Sequence, residues 1–101
     1  MNETDFAVAD FDEVIREEPE NASAYFHRGI ALARRGDFRE AINSYSNAIR
    51  LDEKLAAAYY NRGLLHRHLG AQQQADADRA KARQLNPQIE SLARPTTVAS
   101  R

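Results

Sequence analysis

A segment of this chain returns, recognisably changed, at a constant interval that carries Ala22 onto Ala56, and that duplication restricts the fold more than any other feature. Ala22, Ala24, Tyr25, Arg28, Gly29, Gly36, Ala41, Ala48 and Leu51 match Ala56, Ala58, Tyr59, Arg62, Gly63, Gly70, Ala75, Ala82 and Leu85 at that spacing. A period of roughly 20–50 residues marks units that cannot bury an apolar face alone and do so by stacking. The pattern also runs backwards. Ala7, Val8, Phe11, Val14 and Ile15 stand one period before Ala41, Ile42, Tyr45, Ala48 and Ile49, so half of an earlier unit leads the array.

Within one unit, Ala24, Tyr25, Gly29 and Leu32 recur at helical spacing, Gly36-Asp37 interrupts, and Phe38, Ala41, Ile42, Tyr45, Ala48 and Ile49 resume. This predicts two amphipathic helices joined by a tight turn, with Gly36 in the left-handed position past a helix end and Asp37 capping the next helix. The same reading places helices near residues 56–69 and 72–85, broken at Gly70 and ended by Asn86-Pro87. A lone helix over residues 5–17 precedes them, stopped at Glu18-Pro19, because proline disfavours helical geometry in the residue before it. Gln88 to Arg94 is expected to form one or two turns, and residues 95–101, which open on Pro95, a frayed tail. The expectation is one all-α domain over residues 1–94, with five main antiparallel helices, repeat one over 22–51, repeat two over 56–85, and a short C-terminal turn.

Composition narrows the function classes. Fourteen Lys+Arg against fifteen Asp+Glu leave a formal net charge of −1, which gives no overall attraction to nucleic acid or anionic membrane. The arginines scatter over several helical faces and are interrupted by Glu40, Asp52 and Glu53, so a nucleic-acid partner is not expected. The absence of cysteine excludes disulfides and thiolate chemistry. An acidic start carrying Glu3, Asp5, Asp10 and Asp12, with no apolar run approaching about 18 residues, argues against a signal peptide and a membrane span. A cytoplasmic protein is the resulting expectation. His66 and His68 lie two apart and point in different directions on a helix, and His27 has no neighbouring ligand pattern, so neither a metal nor a cofactor is expected. No nucleophile-and-base spacing or phosphate-binding glycine loop points to an enzyme.

The residues Ala24-Tyr25, Gly29, Gly36-Asp37-Phe38, Ala41-Ile42, Tyr45, Ala48-Ile49 and Leu51-Asp52 resemble the helix-turn-helix signature of the tetratricopeptide repeat family. The second copy fits through Tyr59, Gly63, Gly70, Ala75, Ala82, Leu85 and Pro87. The resemblance covers about residues 5–87 and implies a right-handed solenoid and a non-enzymatic module that binds a protein or peptide. It also implies a concave groove lined by the first helix of each unit. By matching positions this groove takes Phe26, His27, Ile30 and Arg34, bordered by Ser23 and Ala33, from copy one. Copy two supplies Tyr60, Asn61, Leu64, Arg67 and His68, with Ala57. The clamp by which some relatives hold acidic chaperone tails matches poorly, since its first lysine and asparagine positions fall on Phe26 and Ile30.

Three further expectations follow from comparing the copies. Arg28 and Arg62 should lie between helices with their guanidinium groups near a carboxylate or carbonyl. Copy two, with Asp76, Arg79 and Arg83 where copy one has Ile42, Tyr45 and Ile49, reads as a terminal unit with a polar outer face. The leading helix, with Phe6, Phe11 and Val14, is apolar on more than one side and needs cover, by an upstream segment, by a second copy in a homodimer or by a folded-back tail carrying Ile89 and Leu92.

Overall fold

The computed structural model of the chain describes residues 2–93, all helix and short connections. The order is α1 (Glu3–Glu17), α2 (Ala22–Arg35), α3 (Phe38–Leu51), α4 (Ala56–His68), α5 (Gln72–Leu85) and α6 (Ile89–Ala93). The expected helices are all present, and the sequence period is visible as two helix pairs, α2/α3 and α4/α5, flanked by a single helix at each end. The tail expected beyond Pro95 lies outside the described residues.

Local chemistry sets the ends. Asn2 accepts from Asp5 N–H while the Asp5 carboxylate accepts from Asn2 N–H, a reciprocal cap that satisfies two of the free donors opening α1. Asn21 caps α2 by accepting from Ala24 N–H at 2.9 Å. Gly36 and Gly70 turn the chain out of α2 and α4 at φ +92° and +85°, a conformation open to glycine and costly for a residue with a Cβ. Asp37 does not cap α3 as expected. Its carboxylate is taken by Arg35, whose Nε donates at 2.7 Å, and an acid held by a cation two residues back cannot turn to the helix N–H groups.

Packing follows the pattern of small and large residues. Ala41, Ala48, Ala58 and Ala82 are fully buried, so paired helices approach closely, and Tyr45 and Leu32 fill the space beside those contacts. A Cβ on Gly29 would come within 2.6 Å of the Tyr45 ring, which explains the glycine. One cluster joins Val8, Ala31, Leu32, Ala41 and Tyr45, and a second joins Tyr59, Ala82 and Ile89 with Ile49 and Leu85 at its edge.

Ile89 therefore sits at the C-terminal end of the array. Ile89 and Leu92 do not cover α1, because α6 packs on α4 and α5, with Ile89 buried against Tyr59 and Ala82 and Leu92 left exposed. Nor is the outer face of α5 bare, since Arg79 Nε donates to Glu90 of α6 at 2.6 Å with Arg83 close by. Ile89 stands one period after Leu55, and α6 occupies the first turn of what would be a third unit.

Candidate functional site

Each helix pair is locked by an arginine at the same repeat position. Arg28 of α2 donates from Nε to Asp12 of α1 and from Nη1 to the Ser44 hydroxyl of α3 at 2.7 Å. Arg62 of α4 donates from Nε and Nη2 to the two carboxylate oxygens of Asp78 on α5, both at 2.8 Å, and from Nη1 to Ser46 of α3 at 3.1 Å. Asp12 and Ser46 are equivalent positions, as are Ser44 and Asp78, so the acid and the hydroxyl exchange places between the two joints. A cation brought between helices must be paired and hydrogen-bonded to be tolerated there. The bidentate bond that Arg62 donates to Asp78 raises the Arg62 pKa and keeps the guanidinium charged. Both arginines thus direct Nε and Nη1 to partners inside the fold.

The residues expected to line one groove form two surfaces that meet at Tyr60. On the first, Tyr45 of α3 reaches between α2 and α4, its ring centroid 5.8 Å from that of Phe26 and its hydroxyl accepting from Asn61 Nδ2 at 3.5 Å. Burial pushes the Tyr45 hydroxyl above its ordinary value of 10.0, opposed by the Asn61 hydrogen bond and the charge of Arg34, so it stays neutral near physiological pH. Tyr60 and Asn61 continue this surface into a hollow closed by Asn86, Ile89 and Leu92 of the C-terminal turn. Leu64 and Arg67 do not join it. With Tyr60 and Gly63 they line a second hollow against Gln72, Asp76 and Arg79 of α5.

Other expected residues lie elsewhere. Ile30 is half-buried against the first core cluster, and Arg34 is exposed at the end of α2. His27 lies between Phe26, which its ring meets edge-on at 5.3 Å, and Phe11 of α1, on which it stacks at 5.9 Å, and its Nδ1 lies 2.8 Å from the Ser23 carbonyl oxygen. His68 meets Phe38 edge-on at 4.6 Å, drawn to the start of α3 by that ring contact. On α1, Phe6 is 57% exposed, while Phe11, stacked on His27, and Val14 are half-buried, so Phe6 alone of the three is presented outward. Sequence reasoning missed Ile89 and Leu92 as lining residues. The spacing that relates Ile89 to Leu55 was the available signal.

Among the described residues no cluster of His, Asp and Glu is arranged to hold a metal, and no helix is long and apolar enough to cross a membrane. Comparison with known proteins addresses the family. Models of the tetratricopeptide repeat match residues 1–38 and 31–70. The tetratricopeptide domain of OM64 from Arabidopsis is 30% identical and superposes with a TM-score of 0.82, over 84% of this chain and 70% of that one. The chain belongs to the tetratricopeptide repeat family.

The structure of MamA, another tetratricopeptide neighbour, is 25% identical, with a TM-score of 0.81 over 83% of this chain and 49% of that one. This chain thus spans about half the length of MamA. YrrB, at 23% identity and a TM-score of 0.77 over 83% of this chain and 43% of that one, shares the fold. No curated protein matches the sequence. As a tetratricopeptide repeat protein, the chain is in general terms a protein–protein interaction module.

Proposed function

We propose that this tetratricopeptide array binds a peptide or protein surface along the strip that runs from Phe26 through Asn61 and Tyr60 to Leu92, without catalysing a reaction. The observation that carries the reading is the hollow between α4 and α6. There the 72% exposed Leu92 and half-buried Tyr60 offer apolar contact, beside the Asn61 amide. Exposed Arg34 near the Tyr45 hydroxyl adds positive charge at the other end of the strip. An extended peptide with an apolar anchor and a nearby carboxylate complements this arrangement. It would use Asn61 for a backbone hydrogen bond and the Tyr60–Leu92 hollow for the anchor.

Selection from a displayed peptide library tests the proposal. Enriched peptides should share an apolar residue and an acid, and should lose at least about tenfold in affinity, roughly 1.4 kcal/mol, on a folded Asn61→Ala, Leu92→Ala double variant. Undiminished binding by that variant would remove the strip as the site.

A second reading, self-association through α1, is favoured by one observation, the outward position of Phe6.

A further inference from the structure

The two ends of the array are unlike each other and complementary. On α1 the exposed residues Glu3, Phe6, Asp10, Glu13 and Glu17 follow one another at spacings of three and four, which places them in a single stripe on the side away from α2. The stripe is four acids around one aromatic ring. Asp10 stands one period before Ser44 and two before Asp78, the two positions that accept Arg28 and Arg62. The helix therefore presents a carboxylate outward at the repeat position where the fold elsewhere receives a guanidinium.

At the opposite end, α4 and α5 leave a shallow depression of about 20 Å³ beside the exposed Leu64. Its equivalents in repeat one, including Gly29, Ile30 and Tyr45, lie against the first core cluster or beside α4. In repeat two the same positions are Gly63, the 46% exposed Leu64, and Arg79. Arg67, Arg79 and Arg83 border this end against Asp76 and Glu90, so its excess charge is positive where that of the α1 stripe is negative. An apolar floor with a basic rim fits an acidic helix carrying one large apolar anchor.

We infer that the chain associates head to tail, the Phe6 stripe of α1 in one copy lying against the Leu64 and Tyr60 face of α4 and α5 in the next. Phe6 packs on Leu64 and Tyr60, and the acids of the stripe face the arginines. Because the two surfaces differ, the contact is heterologous and each added copy exposes a fresh end, so association continues past the dimer. A two-fold pairing of α1 with α1 would instead bring the acids of both stripes together.

Sedimentation of the intact chain, up to about 1 mM, tests this. The average mass should climb beyond twice 11.4 kDa with concentration and fall back as ionic strength rises from about 0.05 M to about 0.5 M. Phe6→Asp blocks one end and Leu64→Asp the other. Both positions are exposed, so both variants should keep the wild-type circular dichroism and sediment as monomers. Mixed in equal amounts they should form a dimer and nothing larger, because the intact end of each fits the intact end of the other. A wild-type monomer at every concentration overturns the inference. So does a Leu64→Asp dimer that persists while the mixture gives no heterodimer, since that pattern belongs to a two-fold contact through α1. The Asn61/Leu92 variant leaves both ends intact, so loss of peptide binding and loss of assembly are separable.

Discussion

The two arginine joints use the same residue at the same repeat position and are nevertheless held in different ways. At Arg28 the acid, Asp12, comes from the preceding helix and its side chain is 46% exposed; at Arg62 the acid, Asp78, comes from the same unit and is 7% exposed. The first joint is a half-solvated ion pair with a buried hydroxyl beside it, and the second is a bidentate pair inside the unit with a hydroxyl linking it backwards. A repeat position can thus keep its geometry while the charge that compensates it moves across the joint. The energetic weight moves with it, because an exposed pair contributes little and removing one partner of a buried pair is expensive.

The sharpest way to break this comparison is Asp78→Ala. It leaves Arg62 with the Ser46 hydroxyl and the face of the Tyr59 ring but no counter-charge, and unfolding in urea should show a loss of about 3–5 kcal/mol. A loss below about 1 kcal/mol would mean that the two joints are energetically alike. Next comes packing. Gly29→Leu drives a side chain into the Tyr45 ring and should destabilise the α2/α3 pair by about 1–3 kcal/mol, read as a lower melting temperature. Asp12→Ala should cost only about 0.2–1 kcal/mol, and the difference from wild type should shrink in high salt.

The smallest effect concerns Asp5. A hydrogen bond from Arg35, and secondarily one from the Asn2 N–H, hold its carboxyl below the ordinary 3.8. A carboxyl depressed in the folded state adds stability above its unfolded pKa and loses it as pH falls through the folded value. Asp5→Asn should therefore be slightly less stable than wild type near pH 7, with the gap closing below about pH 4. A gap that is constant with pH would show that Asp5 contributes through something other than its charge.

Much of the fold was legible in the sequence, because helix period, turn glycines and the recurrence of whole units are local signals that agree with one another. Gly36, Gly70 and the small residues of the joints were readable in this way. The site was less legible. Helical spacing assigns a face to each residue but not the side chains that arrive from a neighbouring helix. Tyr45 arrives from α3 beneath Phe26 and Asn61, Phe11 of α1 stacks on His27, and Phe38 of α3 meets His68. Leu64 and Arg67 share a helix face with Tyr60, yet they line a different hollow because α5 borders one and α6 the other. The role of α6 was missed because so short a helix carries too few turns for periodicity, although its register with Leu55 was present.

The exchange of acid and hydroxyl between the joints also bears on how the molecule comes apart. Ion pairs among the described residues fall within residues 5–40 or within residues 62–90, and the α3/α4 junction is spanned by hydrogen bonds without an opposite charge, such as Arg62 to the Ser46 hydroxyl and Asn61 to Tyr45. Each half of the array is electrostatically self-contained. Opening at α3/α4 separates none of these pairs, so that junction is the natural seam for partial unfolding, with amide protons beside it exchanging ahead of those inside either half.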